Sequence, residues 1–273
     1  MTTVTVTGAS GYVGSHLANR FERNGWRVER TTFRLGDDVP SIAFANVDAL
    51  VHCAYDFRPV AWADIHRVNV EGTRRLLQAA VAAAVQKIVV LSTISAFPGC
   101  RSLYGRAKLE IEAEARRAGA AVLRPGLVFV DQGSDARGMF GSLLRSSRAS
   151  IVPLIGGGQY CQYLVHVDDL YALIAALVSG AKPTPAGPVV VASSRCWPMR
   201  DLIAALAKRQ GRKPRFVSVP WQAVWLGLRA AEVARLPLGY RSDSVVSLVN
   251  QDPSPDFSGL KELGFTAREF SAV

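Results

Sequence analysis

The sequence predicts an α/β fold in which a doubly wound parallel sheet is followed by a small C-terminal lobe. Three features predict it: a strand and glycine turn at the very start, alternating apolar strands and amphipathic helices after it, and a loop-rich texture beyond residue 131. Of the 273 residues, 49% are apolar, which is enough for a large core. We expect a main domain over residues 1–195, with an insertion at about 131–162, and a lobe over 196–273.

The first turn of the chain is the clearest functional signal. Residues 2–7 are β-branched and fit a buried strand, and residues 15–24 fit a helix that stops at Gly25. Small residues between them would let backbone N–H groups approach a pyrophosphate, whose charge the helix N-terminus favours. The alternative is a tight turn that binds nothing. The G-x-x-G-x-x-G spacing predicts a dinucleotide site formed by Gly8, Ser10, Gly11, Tyr12, Val13 and Gly14.

The second strand, residues 25–32, bears on the choice of cofactor. NAD-binding proteins usually carry an acid at the end of this strand, where it binds the ribose 2′-hydroxyl. Here Thr32 stands at that place and Arg34 follows it. An uncharged end beside an arginine suits a 2′-phosphate, so we predict NADP in preference to NAD. Arg30 could serve instead, and Arg34 could be an ordinary surface arginine.

The later segments continue the alternation. Residues 34–47 are too few for a full strand–helix unit, so we expect a trimmed third strand there. Further strands are expected at 48–54, 87–91, 120–123 and 188–192. Helices are expected at 64–85, 103–117 with Ser102 as N-cap, 139–147, 170–179 capped by Asp168 and Asp169, and 198–210. The triple glycine at 156–158 fits a plain turn.

Tyr104 and Lys108 carry the predicted chemistry. Their i, i+4 spacing places both on one helix face, where an ammonium would lower the pKa of a phenol and fit it for proton exchange. Ser92 and Thr93 end the preceding strand, so a hydroxyl there could bind the same substrate oxygen. Asn69 lies near the same sheet end and is favoured as a functional residue, with a satisfied core amide as the alternative.

Several motifs together resemble one family. They are Gly8 to Gly14, residues 48–54, Asn69-Val70-Glu71-Gly72-Thr73, Leu91-Ser92-Thr93, Tyr104-Gly105-Arg106-Ala107-Lys108, Arg124-Pro125, His166-Val167-Asp168-Asp169 and Leu263-Gly264-Phe265. Their order and spread are similar to an extended or atypical short-chain dehydrogenase/reductase of the NAD-dependent epimerase/dehydratase group. The resemblance implies a Rossmann fold with a small C-terminal substrate-binding lobe.

The resemblance also implies roles for individual residues. Tyr104 would be the general acid/base, Lys108 would lower its pKa and hold the nicotinamide ribose, Thr93 would orient the substrate oxygen, and Asn69 would support a proton-relay water. It further implies a homodimer formed through helices 64–85 and 102–117. The implied cofactor contacts, beyond the glycine turn, Thr32 and Arg34, are Cys53, Ala54, Ser92, Tyr104, Lys108 and Pro125.

The chain departs from the family pattern at three points. Alignment from the strand end makes Thr93 the substrate-orienting hydroxyl, whereas alignment from Gly99 places Ile94 there, and Ser95 is also near. Gln162 stands where members acting on nucleotide sugars often carry an arginine. Only 11 positions separate Thr93 from Tyr104, which predicts a short loop and an open cleft.

Composition narrows the possible partners and compartment. The formal charge of +10 is spread over the chain without a basic block, so we expect a small-molecule substrate and no nucleic acid. The four cysteines are far apart, which favours reduced thiols and no metal in a cytoplasmic protein. No signal peptide or membrane span is visible. Residues 221–238 could lie on an anionic membrane surface, but a lid helix over the cleft is the favoured interpretation.

Three functions follow. The favoured one is an NAD(P)-dependent reductase or dehydrogenase that transfers hydride to or from a sugar-like or other small hydroxy/carbonyl compound. The first alternative is a nucleotide-sugar epimerase or dehydratase that holds NAD tightly. The second is a non-catalytic dinucleotide-binding module, against which the intact Tyr104/Lys108 pair argues.

Overall fold

A computed structural model describes residues 2–31, 33–40, 43–131, 137–236 and 240–271. Its centre is a six-stranded sheet of parallel strands, and three further strand pairs lie beside it. The strands are β1 (Thr3–Thr7), β2 (Arg27–Arg30), β3 (Ala49–His52), β4 (Lys87–Leu91), β5 (Ala121–Pro125), β6 (Leu127–Phe129), β7 (Ile151–Ile155), β8 (Cys161–Gln162), β9 (Leu164–His166), β10 (Val189–Val191), β11 (Trp197–Pro198) and β12 (Arg215–Val219).

Ten α-helices lie in the described ranges, with a π-helical segment at His66–Val70 and a short 3₁₀ turn at Gly156–Gly158. The helices are α1 (Tyr12–Arg23), α2 (Trp62–Ile65), α3 (Glu71–Ala82), α4 (Leu103–Arg117), α5 (Gly138–Ser146), α6 (Val167–Val178), α7 (Met199–Arg209), α8 (Trp221–Val233), α9 (Ser242–Val249) and α10 (Ser258–Glu262).

The main sheet has the order β10-β5-β4-β3-β1-β2 and is covered on both faces. Leu17 of α1 and Leu170 of α6 pack into a core on one face. Leu77 of α3 and Ile111 of α4 pack into the core on the other. Strands β1 and β3 are buried along their whole length, as expected for parallel strands between two helix layers. The predicted α/β fold with a doubly wound parallel sheet is therefore confirmed.

Local sequence patterns predicted the positions of several helices and strands to within a few residues. The strand at Lys87–Leu91 and the helix at Leu103–Arg117 have the predicted bounds, and the Ser102 side chain accepts a hydrogen bond from Gly105 N–H as N-cap. The expected third strand does not form in the described parts of 33–47. The helix expected at 64–85 is divided into α2, the π-helical segment and α3. The capping prediction for α6 was wrong, because His166 caps it and Asp168 lies inside its first turn.

A second core joins the insertion to the C-terminal region. Strands β7 and β12 pair in parallel, and α5 packs against α7. Phe140, Leu154, Leu202 and Phe270 are buried in the same cluster. This arrangement brings chain segments from both regions around one large cavity at the end of the main sheet.

The expectation of four reduced cysteines was wrong for two of them. Cys161 and Cys196 form a disulfide, with their Cα atoms 5.3 Å apart. The cause is the antiparallel pairing of β8 with β11, in which Cys161 lies opposite Pro198. That pairing joins segments 35 residues apart in sequence, so cysteine spacing gave no sign of it. Cys53 and Cys100 are free thiols.

Candidate active site

The glycine turn joins β1 to α1 with very little space around it. A Cβ on Gly14 would lie 2.2 Å from Gly8 O, and one on Gly8 would lie 2.8 Å from the Ala54 backbone. Gly11 is the N-cap of α1, no side chain caps the helix, and no carboxylate lies in its first turn. These residues fit a dinucleotide, because an anion can approach the backbone N–H groups and the positive end of the helix.

The ends of β1 and β3 are held together behind this turn by buried hydrogen bonds. Thr7 Oγ1 accepts from the backbone N–H groups of Cys53 and Ala54, at 3.2 and 3.3 Å, and lies 2.7 Å from His52 Nδ1. His52 Nε2 lies 3.0 Å from Thr73 Oγ1. Burial lowers the pKa of His52 to about 3, so the ring is neutral. The network fixes the loop that carries Cys53 and Ala54, which sequence reasoning proposed as cofactor contacts.

Tyr104 and Thr93 meet at the end of β4. Burial raises the pKa of Tyr104 to about 12, although interaction with the Thr93 side chain favours the charged phenolate. Tyr55 and Phe57 enclose the Tyr104 ring, with ring centroids 4.9 and 5.5 Å away. Thr93, Ile94 and Ser95 all line the cavity, and of the three it is the Thr93 side chain that influences the pKa of Tyr104. The phenol is therefore protonated at neutral pH.

Lys108 shares the helix with Tyr104 but is engaged elsewhere. Its Nζ donates to Leu91 O at 2.7 Å and lies 5.1 Å from the centroid of the Tyr55 ring. Burial lowers its pKa to about 8, although Cys53 and Glu112 favour the charged form. The same burial raises the pKa of the Cys53 thiol to about 12. The expected lowering of the Tyr104 pKa by Lys108 is thus not found in this arrangement.

Asn69 is fully buried in the π-helical segment, and its amide binds one backbone position. Its Oδ1 accepts from Asp56 N–H at 2.7 Å and its Nδ2 donates to Asp56 O at 3.0 Å. The side chain fixes the loop after β3, which carries Tyr55 and Phe57 beside Tyr104. A satisfied buried amide was the alternative kept open for this residue, and these contacts match it.

A buried ion pair lies beneath the site and was not anticipated. Arg124 binds both oxygens of Glu112, at 2.8 and 2.7 Å, and Ser92 Oγ donates to Glu112 Oε1 at 2.5 Å. Ser92, expected to contact the cofactor, is therefore engaged with α4. The Arg124-Pro125 motif drew attention to the arginine of this ion pair. The sequence did not indicate that Glu112 is its partner. Pro125 itself lines the cavity.

The C-terminal lobe fixes the start of the helix that carries Tyr104. Asp243 of α9 accepts hydrogen bonds from the backbone N–H groups of Leu103 and Tyr104, at 2.7 and 2.9 Å. A carboxylate at a helix N-terminus is favoured by the helix dipole. Asp243 is thus a positioning residue that no local pattern indicated.

The predicted 2′-phosphate contacts lie at the edge of the sheet. Thr32 lies outside the described residues. Arg34 is exposed and its backbone N–H donates to Asp37 at 3.3 Å. The hydrogen bond from Arg58 holds the pKa of Asp56 below its usual range, and the charge of Arg34 adds to this effect. Arg30 is bound by Asn19 and Glu22 of α1. Arg34 is therefore the better placed of the two arginines for a further anion.

The cavity beside Tyr104 is large and mostly apolar. It has a volume of about 1060 Å³, at the upper end of the range for small-molecule sites. Gln162 lines it, and its Nε2 donates to Cys161 O on its own strand. The charged lining residues balance: Arg101, Arg229 and Arg241 against Glu232, Asp243 and Asp252. The apolar walls include Leu143, Val152, Leu154, Ile203, Leu228 and Leu248.

The parallel sheet, the glycine turn and the Tyr104 cluster define a dinucleotide-binding α/β protein with an adjoining substrate cavity. Residues 4–192 match the model of the NAD dependent epimerase/dehydratase family. The chain belongs to this family, whose members include oxidoreductases, epimerases and dehydratases.

Two curated relatives are reductases. The chain is 25% identical over 240 residues to a ceramide reductase of Caulobacter vibrioides, covering 80% of this chain and 73% of the relative. It is 24% identical over 261 residues to the 4-hydroxy-2-methyl-3-oxo-4-farnesyl-3,4-dihydroquinoline-1-oxide ketoreductase of Stigmatella aurantiaca, covering 80% of this chain and 76% of the relative.

Solved structures share the fold. MoeE5 in complex with UDP-glucuronic acid and NAD is 19% identical, with a TM-score of 0.74, and the match covers 99% of this chain and 95% of that one. The dTDP-4-dehydrorhamnose reductase of Bacillus anthracis in complex with NADP is 13% identical, with a TM-score of 0.68 and coverage of 90% and 98%. These structures hold NAD or NADP, so a nicotinamide dinucleotide is supported for this family.

Proposed function

We propose that the protein is an NAD(P)-dependent reductase of an uncharged ketone that carries a bulky apolar group. The observation that carries this proposal is the Tyr104 phenol, which lies beside Thr93 at the wall of a large apolar cavity. The bound nicotinamide would supply the hydride to the carbonyl carbon. Tyr104 donates the proton to the carbonyl oxygen, and Thr93 orients that oxygen by a second hydrogen bond.

The protonation of Tyr104 suits the reductive direction. Since burial raises its pKa to about 12, the phenol carries its proton at neutral pH and can give it to a developing alkoxide. Oxidation of an alcohol would first require removal of that proton. Lys108 fixes the end of β4 through Leu91 O, and its ammonium would place a positive charge beside the ribose of a bound cofactor.

The cavity supports an apolar substrate better than a nucleotide sugar. A diphosphate carries two negative charges, and burying them without matching cations is costly. Arg241 and Arg229 are already paired with Glu232, and Gln162 stands where an arginine would contact the diphosphate. The two reductase relatives act on a ceramide and on a farnesyl-bearing compound, and both molecules carry long apolar chains.

An NAD-recycling epimerase or dehydratase is the second candidate. The observation that favours it is the fold match to MoeE5, which extends over nearly the whole length of this chain. MoeE5 has been solved in complexes that contain a UDP sugar and NAD. It requires tightly held NAD and no net consumption of cofactor. The reductase consumes one NAD(P)H per product, so cofactor stoichiometry separates the two.

The first experiment is a fluorescence titration with NADPH and NADH, followed by turnover of a panel of long-chain ketones. We expect NADPH to bind more tightly and Arg34→Ala to reduce that preference, because Arg34 would contact the 2′-phosphate. Tighter NADH binding would overturn the NADP assignment. If neither cofactor binds, the enzyme assignment is overturned. The alternative of a non-catalytic dinucleotide-binding module is then overturned as well, because it requires the same ligand.

Two variants test the role of Tyr104. Tyr104→Phe should lower kcat by about 10²–10⁴-fold with cofactor affinity nearly unchanged, since it removes only the transferred proton. Tyr163→Phe is the matched control, because Tyr163 also lines the cavity and should change kcat little. Equal losses in the two variants would contradict the assignment.

A further inference from the structure

Exposed apolar side chains are concentrated on the loop after β3 and on the segment that begins with α8, both of which contribute residues to the cavity lining. Of ten large apolar side chains that are exposed within the described residues, six come from the loop after β3 and from the segment that begins with α8. We call these six the apolar rim: Phe57, Val60, Leu226, Val233, Leu236 and Tyr240, which are between 40% and 74% exposed.

One arginine ties the two parts of the rim together. Arg241 donates from Nη1 to Phe57 O and from Nη2 to Pro59 O, the latter at 3.0 Å. Its Nε lies 3.5 Å from an oxygen of Glu232, the residue before Val233 in α8. Phe57, Tyr240 and the C-terminal end of α8 therefore belong to one connected surface and not to scattered exposed positions.

Helix α8 is apolar on two opposite faces. Its inner face, with Trp225 and Leu228, lines the cavity, and only Ala231 is buried among its residues. The outer face carries the exposed apolar and small residues Ala223, Leu226, Gly227, Ala230, Val233 and Ala234, and the exposed polar residues Gln222 and Arg229 lie along one edge of it. A surface helix that faces water normally carries mainly polar residues on its outer face. The outer face of α8 is therefore suited to contact with another apolar surface.

The charges beside the outer face are of one sign. In the described part of the segment from 220 to 236, the basic residues Arg229 and Arg235 are both exposed, and Arg229 also reaches the cavity lining, where it pairs with Glu232. The one acid, Glu232, is turned inward, where it accepts hydrogen bonds from Ser242 and pairs with Arg229 and Arg241. The whole chain carries a formal charge of +10. An apolar surface flanked by arginines complements a membrane that carries anionic headgroups.

We propose that the apolar rim and the outer face of α8 dock on an anionic lipid surface, with the cavity mouth opening toward the lipid. The docking agrees with a lid role for α8, because the lid uses the inner face and the lipid would contact the outer one. The helices in the described ranges are too short or too polar to cross a bilayer, so the contact is peripheral. It does not depend on the proposed reaction and can be tested without a substrate.

The test is vesicle flotation of the full chain. We expect binding to phosphatidylcholine vesicles that contain phosphatidylglycerol, weaker binding to phosphatidylcholine alone, and a loss at high salt. Leu226→Glu with Val233→Glu should reduce binding at least tenfold. Val81→Glu with Val217→Glu is the matched control, since it adds the same two charges at side chains that are 51% and 49% exposed outside the cavity lining, and it should leave binding nearly unchanged. Arg229→Gln with Arg235→Gln should weaken binding to the anionic vesicles by about fivefold per arginine.

Three results would overturn the proposal. The first is no binding to anionic vesicles at low salt. The second is equal binding by Leu226→Glu with Val233→Glu and by the control with the same charge, which would indicate general attraction by net charge. The third is a dimer in gel filtration that Leu226→Glu with Val233→Glu converts to a monomer, which would make a second copy the occupant. Circular dichroism and cofactor binding check folding. If the glutamate variant fails to fold, Leu226→Ser with Val233→Ser provides the same comparison.

Discussion

Replacing Lys108 with methionine should stabilise the fold while it impairs activity. The ammonium is 3% exposed and forms no ion pair within the described residues, because the nearby Glu112 carboxylate is bound by Arg124. Its one hydrogen bond goes to Leu91 O. Burial lowers the pKa from 10.5 to about 8, which corresponds to roughly 3 kcal/mol of unfavourable burial at neutral pH. Loss of the hydrogen bond offsets part of this, so we expect a net gain of about 1–2 kcal/mol.

The pH dependence gives the sharper measurement. Below pH 8 the lysine is protonated in both the folded and the unfolded state, so the full cost of burying the charge is present. Between pH 8 and 10.5 the folded state loses this proton first, and the stability of the unsubstituted protein rises. Above pH 10.5 both states are neutral at this residue. The advantage of Lys108→Met should therefore be largest at or below pH 8 and should disappear by about pH 10.5.

Urea unfolding followed by circular dichroism at a series of pH values measures this difference directly. Lys208→Met is the control, because Lys208 is exposed in the last turn of α7 and should change the free energy of unfolding by no more than about 0.5 kcal/mol. A Lys108→Met protein that is less stable than the unsubstituted protein at pH 7 would refute the reasoning. It would mean that Leu91 O and the Tyr55 ring compensate the buried charge fully.

Three further predictions concern the frame of the site. Glu112→Ala should cost about 3–5 kcal/mol in urea unfolding, because it leaves the Arg124 guanidinium without its buried partner; a loss below about 1 kcal/mol would mean that water replaces the carboxylate. Asn69→Ala should lower the free energy of unfolding by about 1–3 kcal/mol and reduce kcat, and unchanged turnover would contradict a role in ordering the loop after β3. Gly14→Ala should abolish NAD(P)H fluorescence enhancement, since its Cβ would lie 2.2 Å from Gly8 O, so normal binding would show that the turn can open.

The sequence determined the elements whose signals are local. The glycine turn, the strand at Lys87–Leu91 and the α4 helix with its Ser102 cap follow from spacing and hydrophobic periodicity within about fifteen residues. The same local spacing placed Tyr104 and Lys108 on one helix. The order of such motifs along the chain was enough to predict the family. Each motif is a short segment, so it can be recognised from the sequence without knowing what it packs against.

Tertiary structure decided what those residues face. Asp243 reaches the start of α4 from about 140 positions away, and Cys161 meets Cys196 only because β8 pairs with β11. Lys108 donates its hydrogen bond to Leu91 O on β4, although Tyr104 lies one turn away on the same helix. Such contacts depend on how distant segments pack, and spacing along the chain carries no record of that packing. The protonated state of Tyr104, the balanced charge of the cavity and the exposed outer face of α8 are all consequences of it.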